Sequence, residues 1–397
     1  MSTIIYCIPV GINMTGIAET IFWVCAAILI YVYLGYPLLL ALIAAFARRP
    51  EPEPDYLPTL SVLLSAYNEE AHIGQKIERT LKLDYPADKL EVVVVSDGSV
   101  DRTDSIVRSF HDSRVRLLRI PSRRGKTNAQ NEGVRICRGE IVVFSDATTL
   151  YHSQALRHLA SNYRDPRVGA VSGRYQYFDP AGQSPTGLGS IAFWNYENLI
   201  KTFQSKIKTI TGCCGCIYSV RRRLYTPLPN DIISDLVQPL KVILKGHRVI
   251  FERRALAYEE TTQSAQEEFS MRVRVVTRGM RGLLSVPDLL KPWEWPWESF
   301  QLISHKVLRW LVPFFLIGLF VTSAVLWSQP IFKLFFLAQA LFYLTAILSI
   351  FVPAHRRWKP FAMPLYFCTL NTAALVSLLE VCRGKKYVVW ETVRSER

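Results

Sequence analysis

Glu91-Val92-Val93-Val94-Val95-Ser96-Asp97, running into Gly98-Ser99, is not an ordinary half-wet strand. Consecutive valines cannot alternate between a core face and a solvent face. The segment therefore reads as a strand buried on both sides, as in a parallel sheet covered by helices. Gly98 supplies the turn, and Asp101-Arg102-Thr103-Asp104 opens a helix with a capping residue and a first-turn acid. Asp97 thus stands at the carboxyl end of a parallel strand, where open α/β sheets bind their ligands.

The flanking sequence repeats this pattern. Ser61–Ala66 predicts a strand, with a helix after it to about Leu83. Helices follow over 103–110 and from Thr127 to Cys137, with strands over 114–120 and 140–145. A strand at 168–178, a helix near 188–204, a short apolar stretch at 216–220, a helix after Asp235 and a strand at 248–252 complete the series. Strands separated by helices argue for a mostly parallel, Rossmann-like sheet with right-handed crossovers. Residues 60–265 are therefore expected to form one α/β domain behind a linker at 51–59, stiffened by Glu51-Pro52-Glu53-Pro54.

Outside that domain the chain turns apolar. Residues 1–50 contain one span-length run, about 17–46, without charge after Glu19; the first 14 residues, broken by Pro9 and Gly11, are left outside it. No basic n-region precedes the run, so it is not read as a secretory signal. It ends in Ala47-Arg48-Arg49-Pro50, which by the positive-inside rule places the α/β domain on the cytoplasmic side of the cell (inner) membrane. Residues 266–306 read as interfacial helices, first basic with Arg272, Arg274, Arg278 and Arg281, then aromatic in Trp293-Glu294-Trp295-Pro296-Trp297. Three apolar membrane segments fill 307–382, at about 307–328, 331–353 and 360–382, and a basic tail covers 383–397. The last segment has basic flanks and contains Pro364 and Asn371, so spanning and re-entry both stay open for it.

The formal charge of +14 suits nucleic acid or an anionic bilayer. Apolar runs accompany it and no aromatic–basic platform does, so the bilayer is the expected partner and nucleic acid is not. Among eight cysteines, Cys213-Cys214-Gly215-Cys216 form a cluster without a second Cys/His pair at zinc spacing. They read as small buried residues of a reducing compartment.

A second strand-end carboxylate appears in Ile141-Val142-Val143-Phe144-Ser145-Asp146-Ala147-Thr148. Two acids at strand ends, with no base beside them, suit a diphosphate and a divalent ion such as Mg²⁺ or Mn²⁺. Between them lies Arg123-Arg124-Gly125-Lys126, a basic loop at a helix start, where unpaired N–H groups and cations both favour phosphate.

Together, Ser65-Ala66-Tyr67-Asn68-Glu69-Glu70, Asp97-Gly98-Ser99-x-Asp101, Gly125-Lys126-x4-Asn131 and Phe144-Ser145-Asp146-Ala147 resemble the family-two glycosyltransferases of GT-A fold. Within that family the chain resembles the membrane-embedded branch that includes cellulose, chitin and hyaluronan synthases. The resemblance covers roughly 58–285 and implies a nucleotide-sugar donor, most simply a UDP-sugar. It implies that Asp97 reads the uracil or ribose, that Tyr67 and Glu69 line the same pocket, and that Lys126 serves the donor phosphates. Asp146 corresponds to the first acid of a metal-binding Asp-x-Asp, whose second acid is here Thr148. Asp235, closing Asp231-Ile232-Ile233-Ser234-Asp235, corresponds to the catalytic base. Arg278 and Arg281 correspond to the diphosphate-holding region of a Gln-x-x-Arg-Trp motif, whose tryptophan is here Gly282.

The implied activity is that of an inverting hexosyltransferase in extracellular polysaccharide synthesis and export. A homo-oligomer or an export partner would complete the path for the product. The competing readings are a single-sugar transferase acting on a lipid or lipid-linked acceptor, and a non-enzymatic membrane scaffold with a decayed site.

Overall fold

A computed structural model describes residues 14–48, 55–178, 185–260, 265–351 and 359–389. Pro9 and Gly11, the Glu51–Pro54 linker, the basic flank at Arg356-Arg357 before the last apolar segment and the tail beyond 389 lie outside the described residues.

The strands are β1 (Leu60–Ala66), β2 (Leu90–Asp97), β3 (Val115–Ile120), β4 (Ile141–Asp146), β5 (Leu150–Tyr151), β6 (Val168–Phe178), β7 (Ile217–Arg221) and β8 (Arg248–Glu260). They form one sheet of order β3-β2-β1-β4-β7-β6-β8-β5. β1, β2, β3 and β4 are mutually parallel, and Val92 to Val95 are fully buried. Alternate residues feed two cores. Val92 and Val94 pack with Val62, Leu64, Ile73 and Ile77 on one face, while Val93 and Val95 pack with Leu63, Ala129 and Val134 on the other. Each buried valine contributes roughly 1.5–3 kcal/mol, which is why a run without polar alternation is tolerated only at the centre of such a sheet.

The crossover helices are α3 (Ile73–Leu81), α4 (Thr103–Arg108), α5 (Lys126–Ile136), α6 (Ala155–Ser161), α7 (Pro185–Ile207) and α8 (Ser234–Leu244), after α1 (Met14–Ile30) and α2 (Tyr36–Phe46). Two strands depart from a purely parallel arrangement, the short β5, which is antiparallel to β8, and β7. β7 lies antiparallel to both β4 and β6, with Ser145 opposite Ile217 and Ile141 opposite Arg221. Strand–helix alternation cannot reveal this, because α7 leads away from the carboxyl edge where β6 ends, and the non-helical segment 208–216 returns the chain there before β7 begins. β7 therefore starts where β4 ends, and Cys213–Cys216 arrive beside Asp146's end of the sheet.

The remaining helices are α9 (Ala265–Leu284), α10 (Pro296–Leu302), α11 (Leu308–Val325), α12 (Pro330–Phe351) and α13 (Lys359–Cys382). Among the described residues, four helices are long and apolar enough to cross a membrane: Met14–Phe46, Pro296–Val325, Pro330–Phe351 and Met363–Cys382. The second runs unbroken across residue 306, the expected boundary between interfacial and membrane segments, through a π-turn at Ile303–Val307. α13 is also unbroken; its 24 residues measure about 36 Å, enough to span.

A matching π-turn, Tyr31–Gly35, joins α1 to α2. The two π-turns face each other: the Tyr31 hydroxyl is hydrogen-bonded to Ser304 Oγ at 2.7 Å. Tyr196 of α7 donates its hydroxyl to the Tyr33 carbonyl at 3.0 Å, satisfying a group that the widened turn exposes. Alongside, buried Glu197 pairs with His305 at 3.2 Å and with Arg309, and Gln204 donates to the Tyr36 hydroxyl at 2.8 Å. This polar seam fastens the apolar helices to the α/β domain.

Candidate active site

Register places the chemistry. Ser65 of β1 pairs with Val95 and with Asp146, so Asp97 and Asp146 project from one sheet edge. With β1 between their strands, they are separated by two strand spacings, about 10 Å.

The two loops leaving β1 and β2 are locked together. Asn68 takes a left-handed φ of 53°, its amide N–H donates to Ser99 Oγ at 3.2 Å, and its side-chain oxygen accepts from Val100 N–H at 2.9 Å. Glu69 N–H donates to Thr103 Oγ1 at 2.8 Å. Tyr67 and Glu69 consequently flank the edge, half-buried, as expected of a pocket wall. The Arg123 guanidinium lies 3.8 Å over the Tyr67 ring, which ties the basic loop to that wall.

Asp97 differs from expectation. Its carboxylate is fully buried and accepts the N–H groups of Arg124 at 2.9 Å and Gly125 at 2.7 Å. The sequence suggests a carboxylate facing a ligand; here both oxygens hold the backbone of the basic loop. Gly98, at φ 73°, permits this approach, since a Cβ there would stand 2.6 Å from Arg123 N. Gly125, at φ 95°, is pressed from above by the Val388 carbonyl, 2.2 Å from where its Cβ would be. Asp97 thus reaches any phosphate through the loop it positions.

Lys126, the first residue of α5, forms an ion pair with Asp146, whose side chain is one-third exposed at 33%. Burial works against the Lys126 ammonium, but the Asp146 charge and hydrogen bond outweigh it and hold its proton above the ordinary value. Thr148, in place of a second acid, donates its hydroxyl to Glu259 Oε1 at 3.0 Å, and Tyr175 donates to Glu259 Oε2 at 2.8 Å. Glu259 was not legible as a site residue, since it arrives by the pairing of β5 with β8. Lys76 was also missed. It occupies the buried face of α3 with Ile73, Ile77 and Thr80, donates to the Thr149 carbonyl at 2.6 Å and is brought down by burial to about 8. A lysine at an apolar-face position was the available signal.

Among the described residues, no three His, Cys, Asp or Glu side chains gather into a cation cage. The strand end offers Asp146 as a partly exposed carboxylate, with Thr148 two residues on. That donor set fits an ion taking most of its oxygens from phosphate and water, as Mg²⁺ does.

Asp235 sits in the first turn of α8, across the edge from Asp146. Its Oδ2 lies against Gly215, where an added Cβ would come within 2.5 Å, and its Oδ1 is sealed without a hydrogen-bond partner. Burial pushes its carboxyl above the usual carboxylate range; Lys126, Lys201 and Arg278 reduce the effect and Asp146 adds to it. Arg278 and Arg281 do not extend toward open space. Arg278 Nη2 donates to the Ile232 carbonyl at 2.7 Å, Thr127 Oγ1 at 2.9 Å and the Asn230 carbonyl at 3.3 Å. Arg281 bonds Asp231 at 3.0 Å. Both hold the loop before Asp235. Gly282 faces α8, where a Cβ would meet Val237 at 2.6 Å, so close helix packing excludes a tryptophan there.

Residues 61–226 match the family described as Glycosyl transferase family 2. This part of the chain is similar to family-two glycosyltransferase domains. The chain is 27% identical over 228 residues to a probable glycosyltransferase, YdaM, of Bacillus subtilis, covering 55% of this chain and 54% of that protein. It is 26% identical over 247 residues to poly-beta-1,6-N-acetyl-D-glucosamine synthase of Staphylococcus aureus, covering 60% of this chain and 58% of that one. The match therefore spans little more than half the length of these relatives. Among solved structures, a mannosyltransferase of Pyrobaculum calidifontis in complex with GDP-Man and Mn²⁺ superposes with TM-score 0.70 at 23% identity, over 93% of this chain and 100% of that one. The likeness establishes the GT-A fold and extends beyond the α/β domain into the apolar helices.

The Asp97 clamp has a measurable consequence. Asp97→Asn replaces one acceptor oxygen by a donor facing an N–H, a loss of about 1.5–3 kcal/mol from a charge-assisted bond. Calorimetry with UDP or GDP should show binding of the accepted nucleotide weakened about tenfold or more, with or without divalent ion.

Proposed function

We propose that the chain is an inverting hexosyltransferase that moves a sugar from a nucleotide-sugar, most simply a UDP-sugar, to an acceptor hydroxyl at the membrane surface. The observation that carries this reading is the Asp235 carboxylate: half-buried, raised in pKa, with one oxygen unpartnered, and facing the edge that holds Lys126 and Asp146. An acceptor hydroxyl is a poor nucleophile until a base takes its proton, and a carboxylate with raised pKa is the better base. Attack from the Asp235 side on a donor whose diphosphate lies along Lys126 and the Asp97-held loop would invert the anomeric carbon. Asp146 would hold Mg²⁺ or Mn²⁺, which supplies charge neutralisation for the leaving diphosphate. Tyr67, with Arg123 stacked on it, offers a face for the nucleobase. The neighbour bound to GDP-Man and Mn²⁺ supports a nucleotide-sugar donor and a divalent ion.

Asp235→Asn is expected to lower turnover by ~10²–10⁴-fold while nucleotide affinity stays near normal. In the native enzyme, turnover should fall as pH falls, because the base must be ionised. The acid limb should lie above the ordinary carboxylate pKa, since burial raises Asp235. A pH-independent rate through the carboxylate range would contradict its role.

The product is proposed to be an extracellular polysaccharide, supported by the similarity to a poly-beta-1,6-N-acetyl-D-glucosamine synthase and by the apolar helices that follow the domain. A second reading, single-sugar transfer to a lipid or lipid-linked acceptor, is favoured by Gly282, where packing against Val237 leaves no room for an acceptor-stacking tryptophan. Sizing the product made by purified protein in nanodiscs separates them. A ladder of lengths is expected; a product one sugar longer than its acceptor would replace polymer synthesis by lipid glycosylation.

The domain is proposed to face the cytoplasm, on the strength of Arg48 at the end of the first apolar helix. A single cysteine introduced at Asp101, in a cysteine-free background, should resist impermeant thiol reagents in intact cells. Labelling without permeabilisation would reverse the orientation.

A further inference from the structure

Cys214 and Cys216 have no place in the proposed transfer, yet they occupy its floor. Their sulfurs are 3.4 Å apart, already in contact, and both residues are buried, at 4% and 5% exposure. The glycine between them is the one on which Asp235 Oδ2 rests. The same segment is tied to its surroundings at three further points. Cys213 N–H donates to the Asp235 carbonyl at 2.8 Å, Cys214 N–H to Ser172 Oγ at 3.0 Å, and the Cys216 carbonyl accepts the Tyr151 hydroxyl at 2.9 Å. A change in the Cys214–Cys216 tripeptide therefore moves the Asp235 carboxylate directly.

The two thiols are not equivalent. Burial alone would raise the Cys214 thiol, but the Cys216 S–H hydrogen bond and the Lys201 ammonium bring it below its ordinary value. Cys216 is raised well above its own by burial. A thiol favoured as thiolate beside a protonated partner is the arrangement of an attacking and a resolving cysteine.

We propose that Cys214 and Cys216 form an oxidisable dithiol beneath the catalytic base, closed to a disulfide by peroxide and thereby disabling the transferase. The effect on activity rests on the reading of Asp235 as base given above. In the first step the Cys214 thiolate attacks one oxygen of hydrogen peroxide, breaking the O–O bond, to give a sulfenic acid and hydroxide. In the second the Cys216 sulfur displaces the sulfenic oxygen, which leaves as water, and the S–S bond forms. Overall, two thiols are oxidised by two electrons and one peroxide is reduced to two waters. A small neutral oxidant suits the burial of both sulfurs. Bringing the sulfurs from contact to bonding distance twists the tripeptide and carries Gly215 away from Asp235.

The test uses full-length protein in nanodiscs, treated with hydrogen peroxide and then with dithiothreitol. Peptide mass mapping of the 209–221 segment should show the loss of two hydrogen masses after peroxide. That loss should persist in Cys213→Ser and be absent in Cys214→Ser and Cys216→Ser. Transfer activity should drop about tenfold or more on oxidation, recover with dithiothreitol, and stay within about twofold in Cys216→Ser under the same treatment. The mapping reads the dithiol whether or not the transferase reading holds, and only the activity arm depends on Asp235. A native peptide that keeps both thiols, a disulfide that leaves activity intact, or a Cys216→Ser enzyme inactivated as deeply as native would each overturn the proposal.

Discussion

The buried guanidinium of Arg278 joins three segments that the chain keeps far apart. It stands on α9, bonds the first turn of α5 through Thr127, and bonds the carbonyls of Asn230 and Ile232 just ahead of Asp235. Thr127 closes the triangle by donating to the same Ile232 carbonyl at 2.8 Å. Burial lowers Arg278 only to about 10, so it stays charged at neutral pH. The loop leading to Asp235, the helix carrying Lys126 and the amphipathic helix therefore form one assembly. Removing the guanidinium would take that donor from the Asn230 carbonyl and leave the Ile232 carbonyl with Thr127 alone, loosening the loop that sets the spacing between Lys126 and Asp235.

A second constraint is the shared edge. Parallel β1, β2 and β4 end together, while antiparallel β7 begins there. Four loops thus converge on one rim. Two of them deliver Asp97 and Asp146, the β1 loop delivers Tyr67 and Glu69, and the fourth delivers the cysteine segment under Asp235. Positive-φ glycines at 98 and 125 let backbones meet closely enough for Asp97 to hold the basic loop by main-chain groups alone.

What was legible in the sequence follows from the range of each interaction. The Val92–Val95 run and the alternation around it are local, and they specify the parallel half of the sheet and its ligand edge. The motif residues Tyr67, Asp97, Lys126, Asp146 and Asp235 do gather at that edge. Their partners were not legible, because they are set by pairing between distant strands and helices. Asp97 turns inward onto Arg124 and Gly125, Glu259 comes beside Thr148 from β8, and Arg278 and Arg281 turn onto the 230–232 loop. The cysteines were correctly read as buried. Their position under Asp235 depended on the direction of β7, which no local pattern encodes.

The facing π-turns at Tyr31–Gly35 and Ile303–Val307 set an angular phase. Each inserts about one residue into an otherwise α-helical rod, and one residue is worth roughly 100° of rotation. Beyond the turns, Phe22 of the first rod meets Leu319 of the second and Phe332 of α12 in a common apolar cluster, its ring 4.8 Å from that of Phe332. On the domain side, the same rods present Tyr36 and His305 to α7. A single-residue deletion in either turn would leave composition and hydropathy almost unchanged, yet put one of these two faces out of alignment. The alignment of the apolar helices with the α/β domain is thus kept as a rotational register, set mechanically by length alone.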